Sequence, residues 1–538
     1  MDTPSIGPRP ETETAALVAL CDGAHRGEDG LDPAEIRSSL ESRSPAIAVG
    51  IVGDLCRRPA LLPDLVGATG AARAVLGLCG NQPSSEEVQA WARKAGLDPF
   101  SAEAVDLGMV TRTGVPLTAA ERAASLLAAA VAAVRASPRT DADQLRMRLP
   151  REGVSRRALF AIGPVTYNPV ASVDRWTCVG TARCGLCVPA CPENAIRTSA
   201  PFPSVSSEAC IACGACVTAC PVGAVALPGA NLGQFEARLA SLLSWPWTDG
   251  SRPGLLFACR GATTALRGRS EEGAPTQADW LPVMVPCLSM VTPGWILGAL
   301  AAGAPAVAML GCGERCGVER GERTRARVDH CRDVLGALAG RDSGSSLRFL
   351  TADGDDPTGA LDELLGEPLT AGEVAGPLHL AEPTATADAL AWLAECRIGR
   401  RDDVSVPGPA SPLGVLDIRE EGCTLCGICA GVCPTSALSF DQGAETATLS
   451  FQGSKCLACR HCVDVCPEHV LTVEARTDLP TILGGMTELK RGTVATCRRC
   501  GRPVAPSAML QRLRELLPRQ SEELLDLVGE LCLDCRGL

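Results

Sequence analysis

The sequence predicts a multidomain chain of mixed α/β and α+β class. It should hold two small α/β domains, two compact cysteine-rich modules and a C-terminal helical knuckle segment. Three observations predict this. Four runs of cysteines each end in Cys-Pro: Cys178/Cys184/Cys187/Cys191, Cys210/Cys213/Cys216/Cys220, Cys423/Cys426/Cys429/Cys433 and Cys456/Cys459/Cys462/Cys466. Elsewhere, short apolar runs of strand type, several ending in cysteine, alternate with helical stretches. Two CxxC pairs, Cys497/Cys500 and Cys532/Cys535, lie near the C-terminus.

Residues 1–12 read as a disordered tail, and 13–150 as an α/β domain with its linker. There VALC, AIAVGIVGDLC and RAVLGLC are strand-like, while SSEEVQAWARKAGL and AAERAASLLAAAVAAVRAS are helical. Ser84 and Glu87 make a capping box. The first cysteine-rich module spans 151–228, and an apolar helical connector follows over 229–252. Residues 253–400 read as α/β again. GLLFAC, WLPVMVPC and PAVAMLGC are strand-like, and WILGALAAGA and RARVDHCRDVLGALAG are helical. Cys331 sits in the last of these as a core thiol. PGPASP marks a linker over 401–413. The second module covers 414–480, and 481–538 reads as mostly helical between its CxxC pairs, with SAMLQRLRELL and SEELLDLVGELC as a hairpin.

The 29 cysteines in 538 residues set the chemistry. A disulfide framework suits a short secreted chain. This N-terminus shows no signal-peptide pattern, and no run of about 18 apolar residues is free of charges or breakers. The thiols therefore read as metal ligands in a reducing cytoplasm. The Cys-Pro runs carry the bacterial-type two-cluster ferredoxin spacing for [4Fe–4S] clusters, as two tandem modules. Soft thiolates suit iron, and each cubane takes four. The cysteine before proline ligates the other cluster of its pair. Site one is thus Cys178, Cys184, Cys187 and Cys220, and site two Cys210, Cys213, Cys216 and Cys191. Site three is Cys423, Cys426, Cys429 and Cys466, and site four Cys456, Cys459, Cys462 and Cys433. Cys178 departs from the spacing: either a longer loop delivers it, or that site has an altered corner. ENAI, VGAV, TSAL and EHVL follow the four Cys-Pro steps as a repeated turn into a short helix and strand.

In the middle domain Cys259, Cys287 and Cys312 end strands, and such ends meet at one edge of an open α/β sheet. With Cys316 they could ligate a [2Fe–2S] cluster. LLFACRGATTAL, MVPCLSMVTPGWILGALAAGAPAVAMLGCGERCGVERG and LRFLTADGDDPTGALDELL resemble the delta subunit of methyl-viologen-reducing hydrogenase over about 253–366. That resemblance implies an electron-transfer protein with a [2Fe–2S] centre on those four cysteines. Gly313 and Arg315 stand where that family's step usually has His or Asp.

Cys21, Cys56 and Cys79 repeat the theme near the N-terminus. RAVLGLCGNQPSSEEVQAWARKAGLDPFSAEAVDLG resembles the N-terminal domain of the flavin-binding subunit of heterodisulfide reductase, which implies an iron–sulfur cluster there. Pro83 replaces the fourth cysteine. His25 is a candidate ligand, and a cluster-free copy is the other reading. The flavin domain of that family needs a Gly-x-Gly-x-x-Gly fingerprint, which is absent, so no flavin is expected. The C-terminal Cys497, Cys500, Cys532 and Cys535 suit tetrahedral Zn; a rubredoxin-like iron or a further cluster is the alternative. Arg498, Arg499 and Arg502 read as a solvated or docking face.

A formal charge of −12 and an aromatic content of 3% argue against nucleic-acid binding. With five histidines and no paired carboxylates or phosphate loop, an independent acid–base site is hard to build. The expectation is an electron-transfer subunit. It would work between a catalytic partner (a hydrogenase, formate dehydrogenase or heterodisulfide-reductase-like module) and an acceptor. The alternative is a reductase that binds substrate at a three-cysteine N-terminal cluster.

Overall fold

The structure is a computed structural model that describes residues 5–6, 16–22, 31–43, 47–79, 83–109, 119–138, 140, 145–147, 167–198, 201–247, 253–262, 280–318, 321–339, 346–353, 376, 378–398, 403–517 and 528–536. Each apolar run of the N-terminal domain becomes a strand. Ala16–Asp22 lies between Ile47–Gly53 and Arg73–Leu78, with Ala102–Asp106 beyond the latter, all parallel. The central strand is covered on both faces, which is why it is continuously apolar rather than alternating. Ser5–Ile6, expected in a disordered tail, pairs antiparallel on the Ile47–Gly53 edge. An open ladder edge accepts such a strand readily. The rest of the expected tail lies outside the described residues.

The capping box forms: the Ser84 N–H donates to Glu87 Oε2 at 2.7 Å, and the Glu87 N–H to Ser84 Oγ at 3.2 Å. Helix Ala119–Arg135 is buried almost throughout because the connector helix Leu232–Leu243 packs on it. Phe235 of that connector also stacks 4.9 Å from Trp295 of the middle domain. The connector is thus a core element shared by two domains.

The middle domain repeats the first in topology. Gly254–Cys259 lies between Trp280–Val285 and Val307–Gly311, with Leu347–Thr351 outside, again all parallel. Both sheets run second–first–third–fourth in strand order. Such an order leaves a crevice at the carboxyl ends of the first and third strands. Each α/β domain is followed by a Cys-Pro module, so the chain consists of two successive halves of the same plan. Cys331 is fully buried in helix Glu322–Ala339, as a core thiol.

The first module is built from the ribbons Ser172–Val173 with Val225–Ala226 and Ile196–Arg197 with Ser204–Val205. The second has longer strands, with Leu471–Asp478 between Ser405–Pro407 and Gly414–Ile418. PGPASP does not run free: Ser411 is buried and its hydroxyl lies 2.9 Å from Thr477 Oγ1.

The C-terminal segment differs from the helical reading. Met486–Thr496 is a strand that pairs with Thr446–Gln452 on one side and Pro503–Pro506 on the other. Most of it is exposed, so it lacks the apolar alternation that marks a strand in sequence. Ser507–Leu516 and the turn Leu533–Arg536 are helical; most of the second predicted helix lies outside the described residues. Arg498 and Arg502 are exposed, as a solvated or docking face requires, and each also carries an ion pair. They pair with Glu530 at 2.6 Å and Asp534 at 2.5 Å, and Arg499 donates to the Cys535 carbonyl at 3.3 Å. These contacts tie the two CxxC turns together.

Candidate metal centres

The Cys-Pro loops are shaped by left-handed residues. The residue before the second cysteine is Ala212, Leu425 or Ala458, with φ of 55°, 56° and 53°. The residue after it is Gly214, Gly427 or Arg460, with φ of 80°, 74° and 65°. Left-handed backbone at a non-glycine residue costs roughly 1–2 kcal/mol. Spending it on both sides of one cysteine turns three thiols inward from a short loop. Three residues after each Cys-Pro cysteine the chain is left-handed again, at Asn194, Gly223, Ser436 and His469. That turn aims the next amide at sulfur. The Ala195 N–H donates to Cys191 Sγ and the Ala224 N–H to Cys220 Sγ, both at 3.2 Å. Such donors favour the thiolate.

The thiols gather in crossed sets. One cavity is lined by Cys191 with Cys210, Cys213 and Cys216. A second is lined by Cys466 with Cys423, Cys426 and Cys429. A third is lined by Cys433 with Cys456, Cys459 and Cys462. In the remaining set, burial pushes Cys187 up to about 12, with the charges of Cys184, Cys220 and Cys178 adding to it. The long loop therefore does bring Cys178 to its neighbours. Asp174 holds that loop, accepting from the Trp176 N–H at 3.0 Å and from Thr177 Oγ1 at 2.5 Å, while its carbonyl accepts from the Cys178 N–H at 2.9 Å.

Burial likewise pushes Cys429, Cys456 and Cys462 up to about 12 and Cys213 to about 11. Four buried or half-buried thiols around one small cavity fit a soft, positively charged iron group, which needs them deprotonated and releases their protons.

In the middle domain the four thiols form a chain. Cys259 Sγ lies 3.7 Å from Cys312 Sγ. A hydrogen bond from Cys287 draws the Cys259 thiol down. Burial and then a hydrogen bond with Cys316 raise Cys312. Gly313 turns the backbone at φ 61°, and a Cβ there would sit 1.9 Å from Asp353 Oδ1. Asp353 accepts from the Glu314 N–H at 2.6 Å. A carboxylate thus reaches this step from the end of the fourth strand, a role that residue spacing does not reveal.

Cys21, Cys56 and Cys79 occupy the same corners of the N-terminal sheet, and their sulfurs lie within 4.8 Å of one another. Burial, then a hydrogen bond with Cys21, raises Cys56. His25 lies outside the described residues. Cys497, Cys500, Cys532 and Cys535 also close to within 4.8 Å, with Cys500 and Cys532 sulfurs 3.5 Å apart. Thiolates at about 2.3 Å from one tetrahedral ion stand at this order of spacing. Backbone N–H donation from Cys532 holds Cys497 down to about 6, while burial first and then its sulfur neighbours push Cys535 up to about 12.

Residues 177–224 and 422–470 each match the 4Fe-4S dicluster domain family. Residues 255–352 match the family of the methyl-viologen-reducing hydrogenase, delta subunit. No curated protein matches this chain. The matched domains support an iron–sulfur electron-transfer role. Among the described residues no helix is long and apolar enough to cross a membrane.

Proposed function

We propose that this chain is the electron-transfer subunit of a cytoplasmic oxidoreductase complex. It relays single electrons between a catalytic partner (a hydrogenase, formate dehydrogenase or heterodisulfide-reductase-like module) and an acceptor. The observation that carries this reading is the gathering of crossed thiol sets around separate cavities. Crossed sets force the two sites of a pair to sit close, as a relay needs. Each set holds one [4Fe–4S] cluster, and Cys259, Cys287, Cys312 and Cys316 hold a [2Fe–2S] cluster. These groups supply one-electron redox chemistry when bound. The protein's part is to hold them, exclude water and set their potentials through N–H···S bonds. Cys497, Cys500, Cys532 and Cys535 hold a structural zinc. The described cysteines are thiols rather than disulfides, which suits a reducing compartment.

The N-terminal domain favours a second reading. It repeats the middle domain's sheet order and thiol corners, but Pro83 leaves three sulfurs instead of four. We assign an iron–sulfur cofactor to Cys21, Cys56 and Cys79, resembling that of the flavin-binding subunit of heterodisulfide reductase. Its open position would let this chain act as a reductase. Anaerobically loaded protein should hold at least about 16 iron per chain, the content of four cubanes; a lower count sinks the relay. Cys79→Ala separates the two readings. If dye-driven turnover disappears while the other sites stay loaded, the chain is a reductase; unchanged electron throughput keeps it a relay.

A further inference from the structure

The middle domain follows the first Cys-Pro module and precedes the second in the chain, so it has two neighbours to which it could pass an electron. Both modules pack on it, but the packing beside its thiols favours one. The turn Leu288–Met290, just after Cys287, packs on helix Ala215–Thr218 of the first module. Gly214, between Cys213 and Cys216, lies so close that a Cβ there would sit 2.1 Å from Met290 Sδ. The backbone bend does not by itself require glycine, because the equivalent Arg460 adopts φ 65° with a full side chain. Gly214 is glycine because another domain occupies the space. Arg327 braces the same turn, donating to the carbonyls of Ser289 at 2.9 Å and Val291 at 2.8 Å. Arg323 reaches across to the Ala190 carbonyl at 3.4 Å.

The two modules also face one cavity. Leu457, between Cys456 and Cys459, lines a cavity of about 430 Å³ together with Leu186 and Ala190 of the first module and Arg323 of the middle domain.

Resting on the relay reading above, we propose a single order of transfer. It runs from the Cys259/Cys287/Cys312/Cys316 site to the Cys191/Cys210/Cys213/Cys216 site, then to the Cys178/Cys184/Cys187/Cys220 site. From there it crosses to the Cys433/Cys456/Cys459/Cys462 site and ends at Cys423/Cys426/Cys429/Cys466. The middle domain is therefore one end of the line and the Cys423 site the other, although the middle domain sits between the modules in sequence. At each step one site loses the electron that the next gains. The first electron comes from an external low-potential one-electron donor, and the direction can reverse.

The test uses the full loaded chain, reduced stepwise with dithionite and followed by electron paramagnetic resonance. The middle-domain signal should relax fast when its neighbour is reduced. That enhancement should be lost in Cys210→Ala/Cys213→Ala and kept in Cys456→Ala/Cys459→Ala. Loss in the second variant instead, or no change in either, overturns the order. Spin coupling between the two modules should vanish in Cys184→Ala/Cys187→Ala and persist in Cys423→Ala/Cys426→Ala; the reverse overturns the crossing. Each variant should lose about four iron and no more. If a ligand variant loses all its iron, Gly214→Ala decides, since it keeps every thiol: slower relaxation of the middle-domain signal supports the order, and unchanged relaxation overturns it. A wild-type chain holding fewer than about 16 iron would sink the functional reading instead, whereas one with its four cubanes but no iron in the middle domain overturns the order alone, so the two failures are distinct.

Discussion

At the scale of single residues, the sites depend on backbone that few side chains tolerate. Gly313 combines φ 61° with the Asp353 carboxylate where a Cβ would stand. Gly313→Ala should therefore strip about two iron from the middle domain, the content of a [2Fe–2S] cluster, and destabilise the chain by more than ~1 kcal/mol. Gly431→Ala is the control, because Gly431 has open space and lies in a helix; it should change neither iron content nor melting temperature for the worse. The cysteines of the Cys-Pro sites are legible from spacing, and those of the middle domain from their place at the ends of apolar runs. Asp353 is not, because its meeting with Gly313 depends on the fourth strand lying beside the third.

At the scale of elements, helix Glu322–Ala339 is fastened to strand Leu471–Asp478 by a buried polar chain. His330 Nε2 lies 2.8 Å from Thr477 Oγ1, which in turn lies 2.9 Å from Ser411 Oγ. Burial lowers the His330 pKa below its usual 6.5, with Asp333 opposing. A depressed histidine contributes stability above its unfolded value and loses it as pH falls through the folded one. The amides of Ser405 and Val406 should therefore lose protection against hydrogen exchange, relative to their intrinsic rates, below about pH 6, and His330→Gln should flatten that dependence. A profile unchanged by His330→Gln would clear the histidine of any part in it. At the C-terminus, the strand Met486–Thr496 welds the CxxC turns to the second module. Cys497→Ala should release about one zinc and loosen Pro503–Pro506, with the visible absorption of the iron sites intact. Loss of that absorption as well would place Cys497 at a cluster. The strands and helices of both α/β domains follow their sequence patterns closely. Met486–Thr496 does not, because an exposed ribbon carries little apolar signal.

At the scale of the whole molecule, two halves of one plan meet through unlike surfaces. Each half is a parallel sheet in the order second–first–third–fourth followed by a crossed pair of sites. The first sheet keeps three thiols at its crevice and the second keeps four. The second sheet's turn, through Met290, abuts a loop of the other half's module. The repetition of thiol corners in the two α/β domains is legible as three similar cysteine-ended runs, but their common sheet order is not.

The sequence by itself determined which thiols gather and how they are grouped. Chelation by a short loop is local, so spacing encodes it, and Cys-Pro marks the crossed ligand. Tertiary structure alone decided which site faces which. Gly214 meets Met290, and Leu457 comes to line one cavity with Leu186, only after separate domains have packed. Those contacts arise from burial of non-local apolar surface, which no periodicity or motif within either segment records.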